Sequence, residues 1–311
     1  MHTIAPVSDT RLRAWAVLAR AALTPAAYPR VVLATRAVAP DIEDAADRIG
    51  ALVAEPGSGA SIAELAACDL DRAERAGAWL LTPDEPAWAG LGFDDLDSRD
   101  SRYLDAPVAV WVRGSIDPVS VLTRVGVVGA RAVSPRGAAI TGQIAGELVE
   151  RGVHIVSGGA YGVDVIAHRA ALAQGVATTL VSAAGIDRVY PTAHLEVFDA
   201  VAETGAIISE YPPRDGVEPP RLLARNRLVA AMSRQLVITE AGVRSGTLAT
   251  VRWARRLHRP VLAVPADFGA AARGCDLLIG EGHARPVHSL TEVLTALGET
   301  AEPEPRHPLA Y

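Results

Sequence analysis

The sequence predicts a doubly wound α/β domain with a mostly parallel sheet, preceded by a small all-helical unit. Three observations carry this. From Arg124 onward, short apolar runs ("VGVVG", "VHIVSGG", "ATTLVSAAG", "AIISEYPP", "QLVITEAG", "RPVLAVPA") alternate with segments of helical length. Crossovers of that length join parallel strands and cover both faces of a sheet. Two of the strand-to-helix turns, "SGGAYG" and "AGVRSGTL", are Gly/Ser clusters that open a helix. The first 76 residues show helical periodicity instead.

Taken in order, residues 1–76 form a small helical unit. "RLRAWAVLARAAL" is amphipathic. "APDIEDAADRIGALVA" offers Asp41 as a cap with acids in its first turn, which suits the positive end of the helix dipole. The next helix has Ser61 as its cap and Glu64 three residues on, a capping box. Residues 77–298 form the α/β domain. Its first strands are "AWLLTP" and "APVAVWVRG", and the acidic stretch "GLGFDDLDSRDSRYLD" between them reads as a surface loop. Five strand–helix units follow, the fourth with a basic helix around "LLARNRLVAAM", and then the strand "RPVLAVPA". "CDLLIGEG", read as a last strand, and the helix "ARPVHSLTEVLTAL" close the series. Residues 299–311, "ETAEPEPRHPLAY", are Pro- and Glu-rich and read as a disordered tail.

The chain has 311 residues, half of them apolar, enough for a sizeable core. No apolar run approaches the ~20 residues that cross a bilayer. The N-terminus lacks the layout of a signal peptide, so a soluble, cytoplasmic protein is expected. Cys68 and Cys275 lie far apart and read as two reduced thiols. The formal net charge of −6 does not suggest a nucleic-acid binder, but its distribution does. Residues 41–105 hold 16 acids and 5 arginines; residues 214–259 hold 10 arginines and 3 acids. A basic stretch inside an acidic protein marks a candidate anion site, the alternative being a solvated helix face.

In an open parallel sheet, ligands sit beyond the C-terminal strand ends. The sequence places there Gly129, Arg131 and Ser134; then Ser157, Gly158, Gly159, Tyr161 and Gly162; then Glu240, Arg244, Ser245, Gly246 and Thr247. Glycine lets backbone amides approach an anion, and a helix N-terminus adds unsatisfied N–H groups. The bare loops therefore read as phosphate cradles, with Arg131, Arg225, Arg227 and Arg244 supplying charge and bidentate hydrogen bonds. The dinucleotide spacing G-x-G-x-x-G and the Walker loop are both absent, so no nucleotide cofactor is expected. His168, four residues after Asp164, reads as an intrahelical hydrogen bond or cap rather than a catalytic dyad. Glu240 reads either as a base or as an orienter of Arg244 or a loop amide. "GIDRVYP" reads as a turn with a packed tyrosine. No metal-ligand cluster stands out.

Together "VGVVGARAVSPRGAAI", "IVSGGAYGVDVIAHRAAL", "GIDRVYP", "ISEYPP", "RLLARNRLVAAMS", "ITEAGVRSGTLATVRWA" and "RPVLAVP" resemble, in order, the DprA (Smf) DNA-processing family. The resemblance spans residues 80–297, and the helical unit, SAM-like in that family, fits as well. It implies an extended Rossmann-like fold without a cofactor. It also implies a non-enzymatic protein that binds single-stranded DNA without sequence preference. Its implied task is to protect incoming strands and deliver the RecA recombinase in natural transformation, acting as a homodimer. Carried over onto this sequence, the DNA site comprises Gly129 and Arg131; Ser157, Gly158, Gly159, Tyr161, Gly162 and Asp164; Arg225, Asn226 and Arg227; and Arg244, Ser245, Gly246 and Thr247.

The chain departs from the family pattern in several places. Tyr161 stands where many members have Arg, which exchanges a phosphate contact for a base-stacking one. Leu222 and Leu223 replace Phe-Pro, removing an aromatic base contact. The segment "ADFGAAARGCDLL" matches poorly, which bears on the dimer, and no winged-helix module is expected after the last helix. Two rival functions use the same fold. The LOG group of nucleoside-monophosphate phosphoribohydrolases carries P-G-G-x-G-T-x-x-E, and here Thr250 takes the place of the acid. A nucleotide-signal sensor would use the same pocket.

Overall fold

The structure, a computed structural model, describes residues 8–36, 41–53, 60–97, 106–116, 124–266 and 273–299. The N-terminal region is helical: α1 (Asp9–Ala22), α2 (Tyr28–Thr35), α3 (Ile42–Leu52) and α4 (Ile62–Arg75). Its caps are those the sequence calls for. Asp41 accepts from the Asp44 amide, and Ser61 and Glu64 form the full capping box.

Next come β1 (Ala78–Leu81), the short α5 (Pro86–Ala89), a 3₁₀ turn (Phe93–Asp97) and β2 (Val110–Gly114). Then the chain alternates: β3 (Arg124–Val128), α6 (Pro135–Glu150), β4 (His154–Ser157), α7 (Val163–Ala173), β5 (Thr178–Val181), α8 (Leu195–Thr204) and β6 (Ala206–Ser209). It continues with α9 (Pro219–Ala231), β7 (Gln235–Ile238), α10 (Thr247–Arg256), β8 (Val261–Ala263), α11 (Arg273–Gly280), β9 (Arg285–Pro286) and α12 (Leu290–Glu299). The sheet order is β1-β2-β6-β5-β4-β3-β7-β8-β9. The β1–β2 and β2–β6 pairs are antiparallel and the rest parallel. Successive strand residues face opposite sides of the sheet. Val125 and Val127 join the layer of α6, α7 and α12, whereas Val128 joins that of α9 and α10. The helical region shares the α7/α8 face: Trp15, Leu18, Ile42 and Ile62 pack in one cluster with Leu180, Phe198 and Ile207.

Two expectations are corrected. "CDLLIGEG" lies in helix α11, and the strand beyond it is only Arg285–Pro286. A short apolar run does not distinguish strand from buried helix, and here Cys275 and Leu278, three residues apart, turn one face inward. The acidic stretch after β1 is no surface loop where it is described. Leu91, Phe93 and Leu96 are buried, and Phe93 packs edge-on against Trp88 at 5.1 Å. Residues 98–105 and the tail from residue 300 on lie outside the described residues. Both cysteines are free. Among the described residues no helix is long and apolar enough to cross a membrane.

One buried carboxyl gives this core a pH signature. Asp69 on α4 accepts from Arg20 Nη1 at 3.0 Å and is 1% exposed. Burial outweighs the arginine and pushes its carboxyl from 3.8 up to about 6. A folded pKa above the unfolded one contributes stability at low pH that is lost as pH rises through about 6. Compared with Asp69→Asn by urea unfolding, the native chain should therefore gain about 1–3 kcal/mol between pH 7.5 and 4.5. A difference independent of pH would show that the ion pair, not burial, governs this carboxyl.

Candidate functional site

The chain leaves β3 toward β4 on one side and returns to pair β7 on the other. This reversal is the switch point at which such sheets bind ligands. A cleft of about 590 Å³ opens there, lined by the loops after β3, β4 and β7 and by α9. Of the candidate residues it brings together Gly129, Arg131, Gly158, Asp164, Arg225, Asn226, Arg244, Ser245, Gly246 and Thr247. A smaller hollow adjoins it, shared by Arg131, Gly158 and Arg225 and flanked by Tyr161, Tyr190 and Leu222.

The loops are tied to one another. Thr247 Oγ1 donates to the Gly129 carbonyl at 2.9 Å, and Asn226 Nδ2 to the Gly246 carbonyl at 3.3 Å. The Ala130 amide donates to the Glu240 carbonyl at 2.7 Å, and the Val163 amide to the Ala130 carbonyl at 3.2 Å. The Glu240 carboxylate accepts from the Ser134 amide at 2.9 Å and from its hydroxyl at 2.5 Å. Of the two readings of Glu240, the structure supports the orienter of a loop amide. Gly162 opens α7 at φ +77°, and a side chain there would also strike the Ala130 carbonyl.

Arg225 forms the floor. It is only 5% exposed, and its Nη1 donates to the Val181 carbonyl at 2.6 Å. Its Nε is buried with no hydrogen-bond partner among the described residues. The guanidinium lies against Gly158 so closely that a methyl group there would overlap it. The solvated-face alternative therefore fails for this residue. Burial lowers the Arg225 pKa, with Asp164 opposing, yet arginine stays charged. Asp164 is 6% exposed, and burial pushes its carboxyl up. Opposing that are Arg225 and the amides of Ala160, at 3.4 Å, Gly158 and Gly129. Several glycine-loop amides read from sequence as a phosphate cradle thus already serve a carboxylate of the chain. The cations remain available to a ligand. Arg131 and Arg244 are exposed at the mouth, with no ion pair among the described residues.

Other candidates fall outside the cleft lining. Ser157 is buried and its hydroxyl donates to the Val127 carbonyl at 2.6 Å. The Gly159 carbonyl accepts from His194 Nδ1 at 3.0 Å, and Gly162 shapes the turn. Arg227 points to Glu210, donating to both carboxylate oxygens at 2.6 and 2.5 Å. His168 bonds neither way the sequence suggests: its Nδ1 meets Thr178 Oγ1 at 2.9 Å, and burial holds its pKa down at about 3.

Sequence reasoning missed Tyr190. Read as packed, it is 43% exposed beside Tyr161, which is 48% exposed. The Tyr161 ring is held edge-on to His194 at 4.7 Å. The only sequence signal was an aromatic residue placed before Pro191 at a strand-end loop.

Comparison with known proteins accounts for most of the chain. A DNA processing protein DprA of Mycobacterium tuberculosis is 38% identical over 312 residues, covering 96% of this chain and 79% of that protein. The DNA processing protein DprA of Streptococcus pneumoniae is 37% identical over 195 residues, covering 62% of this chain and 68% of the relative. Its solved structure superposes with a TM-score of 0.66 at 27% identity, covering 93% of this chain and 98% of that one. DNA processing protein A from Helicobacter pylori, described by its single-stranded DNA binding mode, gives a TM-score of 0.59 at 30% identity, covering 67% of this chain and 92% of that one. The model of the family described as DNA recombination-mediator protein A matches residues 93–298. With that span taking in the whole cleft, the chain belongs to the DNA recombination-mediator protein A family.

Proposed function

We propose that the cleft binds single-stranded DNA without sequence preference, through phosphates held by Arg225, Arg131 and Arg244. One observation carries the reading: a buried guanidinium forms the floor of an open cleft with two arginines at its mouth, and among the described residues its Nε has no hydrogen-bond partner and those two arginines no ion pair. Tyr161 and Tyr190 add exposed rings on which bases stack, a sequence-tolerant contact. The single-stranded DNA binding of the Helicobacter pylori relative supports the ligand class. Family membership supports the wider role: a homodimeric protein that protects incoming strands and delivers the RecA recombinase, with no catalytic step of its own.

Fluorescence anisotropy with a labelled single strand, duplex competitor and a salt series tests the reading. Log affinity should fall linearly with log salt, by ~0.7 per phosphate neutralised, and the single strand should be preferred. Absence of binding at low salt would sink it. The hydrolase alternative predicts release of free base from nucleoside monophosphates. With Thr250 lining the cleft where that motif has an acid, none is expected.

Arg227 separates binding from folding. Arg227→Ala should change affinity less than about threefold, because the guanidinium is committed to Glu210. It should lower stability by about 1–2 kcal/mol, because Glu210, 17% exposed, loses its partner. A large affinity loss at unchanged stability would place Arg227 on the DNA instead.

A further inference from the structure

We infer that the outer face of α10 continues the DNA site, carrying phosphates of the same strand past the cleft on Arg252 and Arg255. This rests on the cleft reading above. Residues 241–266 contain five arginines and no acid, within a chain of net charge −6. Arg252 and Arg255 are exposed, lie three residues apart on one helix face, and have no ion pair among the described residues.

Their setting differs from that of several exposed arginines on other helices, although Arg30 and Arg169 are also exposed with no ion pair among the described residues. Arg13, Arg48, Arg75 and Arg151 each pair with an acid one turn earlier on the same helix: Asp9, Asp44, Asp71 and Glu147. One turn before Arg252 and Arg255 stand Leu248 and Val251. Farther along, Arg256 stacks over Trp253 at 4.9 Å and Arg259 pairs with Asp95, so the two free charges sit nearest the cleft.

The helix also starts at the cleft, although Arg252 stands about 200° around its axis from Thr250. Gly246, Thr247 and Thr250 in the first turn of α10 line it, and Arg244 stands just before them. At 1.5 Å per residue, Arg252 and Arg255 lie about 8 and 12 Å along the axis from Thr247. A strand leaving past Arg244 and turning over the start of the helix would meet them next. Charge beside a tryptophan ring already covered by Arg256 suits a phosphate backbone rather than base readout.

The test compares labelled thymidine oligonucleotides of about six and about twenty nucleotides across a salt series, in the native chain and in Arg252→Ala/Arg255→Ala. The variant should bind the long strand roughly tenfold more weakly at low salt, with a slope shallower by about 1.4. It should bind the short strand within about twofold of the native chain. Arg252→Lys/Arg255→Lys should restore most of the long-strand affinity, since a phosphate contact needs mainly the charge. Equal affinity of variant and native chain for the long strand would overturn the inference and leave the cleft reading intact. Equal loss on both strands would overturn it as well, by locating the effect in the cleft. A change in mass by sedimentation would make the face a contact between copies of the chain, again overturning it. If the native chain binds neither strand, the cleft reading fails and takes this one with it.

Discussion

Arg225→Ala should weaken single-stranded DNA binding by more than about 100-fold and flatten the salt slope by about 0.7. The size follows from burial. An exposed arginine that loses a phosphate leaves it to its neighbours and to water. Arg225 is 5% exposed, held by the Val181 carbonyl and packed on Gly158, so its charge is pre-positioned and poorly screened. The same burial gives the substitution a folding cost. Asp164, 6% exposed, would lose the neighbouring positive charge, and about 3 kcal/mol of stability should go with it. Two measurements separate the effects. Urea unfolding gives the stability, and anisotropy at a temperature where the variant is folded gives the affinity. Arg225→Lys keeps a charge but loses the planar fork, so it should recover part of the stability and still bind about tenfold more weakly than the native chain. A folded Arg225→Ala protein with native affinity and salt slope would remove the floor of the cleft from the DNA site.

The alternation of strands and helices was legible because period and length speak for themselves, and so were the caps at Asp41 and Ser61. That the loops gather at one edge was legible because parallel strands end on the same side of the sheet; which strands flank the switch point was not. What each residue does there was not. In α9 the polar Arg225 and Asn226 are buried while Leu223 is 53% exposed, an inversion of helical patterning that only the neighbouring loops explain. Arg225 and Arg227 look equivalent in "RNR", yet one faces the cleft and the other Glu210, because they differ by about 200° around the helix. The glycines of "SGGAYG" read as room for an anion from solution. The structure fills that room from within, with the Asp164 carboxylate among the amides and the Arg225 guanidinium over Gly158. The short helix α11 and the buried 3₁₀ turn at Phe93 were missed for a related reason: short apolar stretches take their form from what they pack on.

Gly158→Ala reads the Arg225 contact from the opposite side. Gly158 is not among the positive-φ glycines, so its backbone accepts alanine and the effect is confined to space. The added methyl would occupy the position of the guanidinium. Arg225 must then leave the Val181 carbonyl, and binding should fall by about 100-fold, nearly as far as on removal of Arg225. In an Arg225→Ala background the same methyl meets no guanidinium and should cost almost nothing further. The coupling between the two positions should therefore exceed about 2 kcal/mol. Gly246→Ala is the control: it also lines the cleft, but open space surrounds it, and affinity should change less than about threefold. Additive losses at positions 158 and 225 would mean that the methyl acts on the loop, not on the arginine. Non-additive losses identify the glycine as the seat of a buried cation. That is a different reason for a bare backbone at the end of a strand from the amide cradle its spacing suggests.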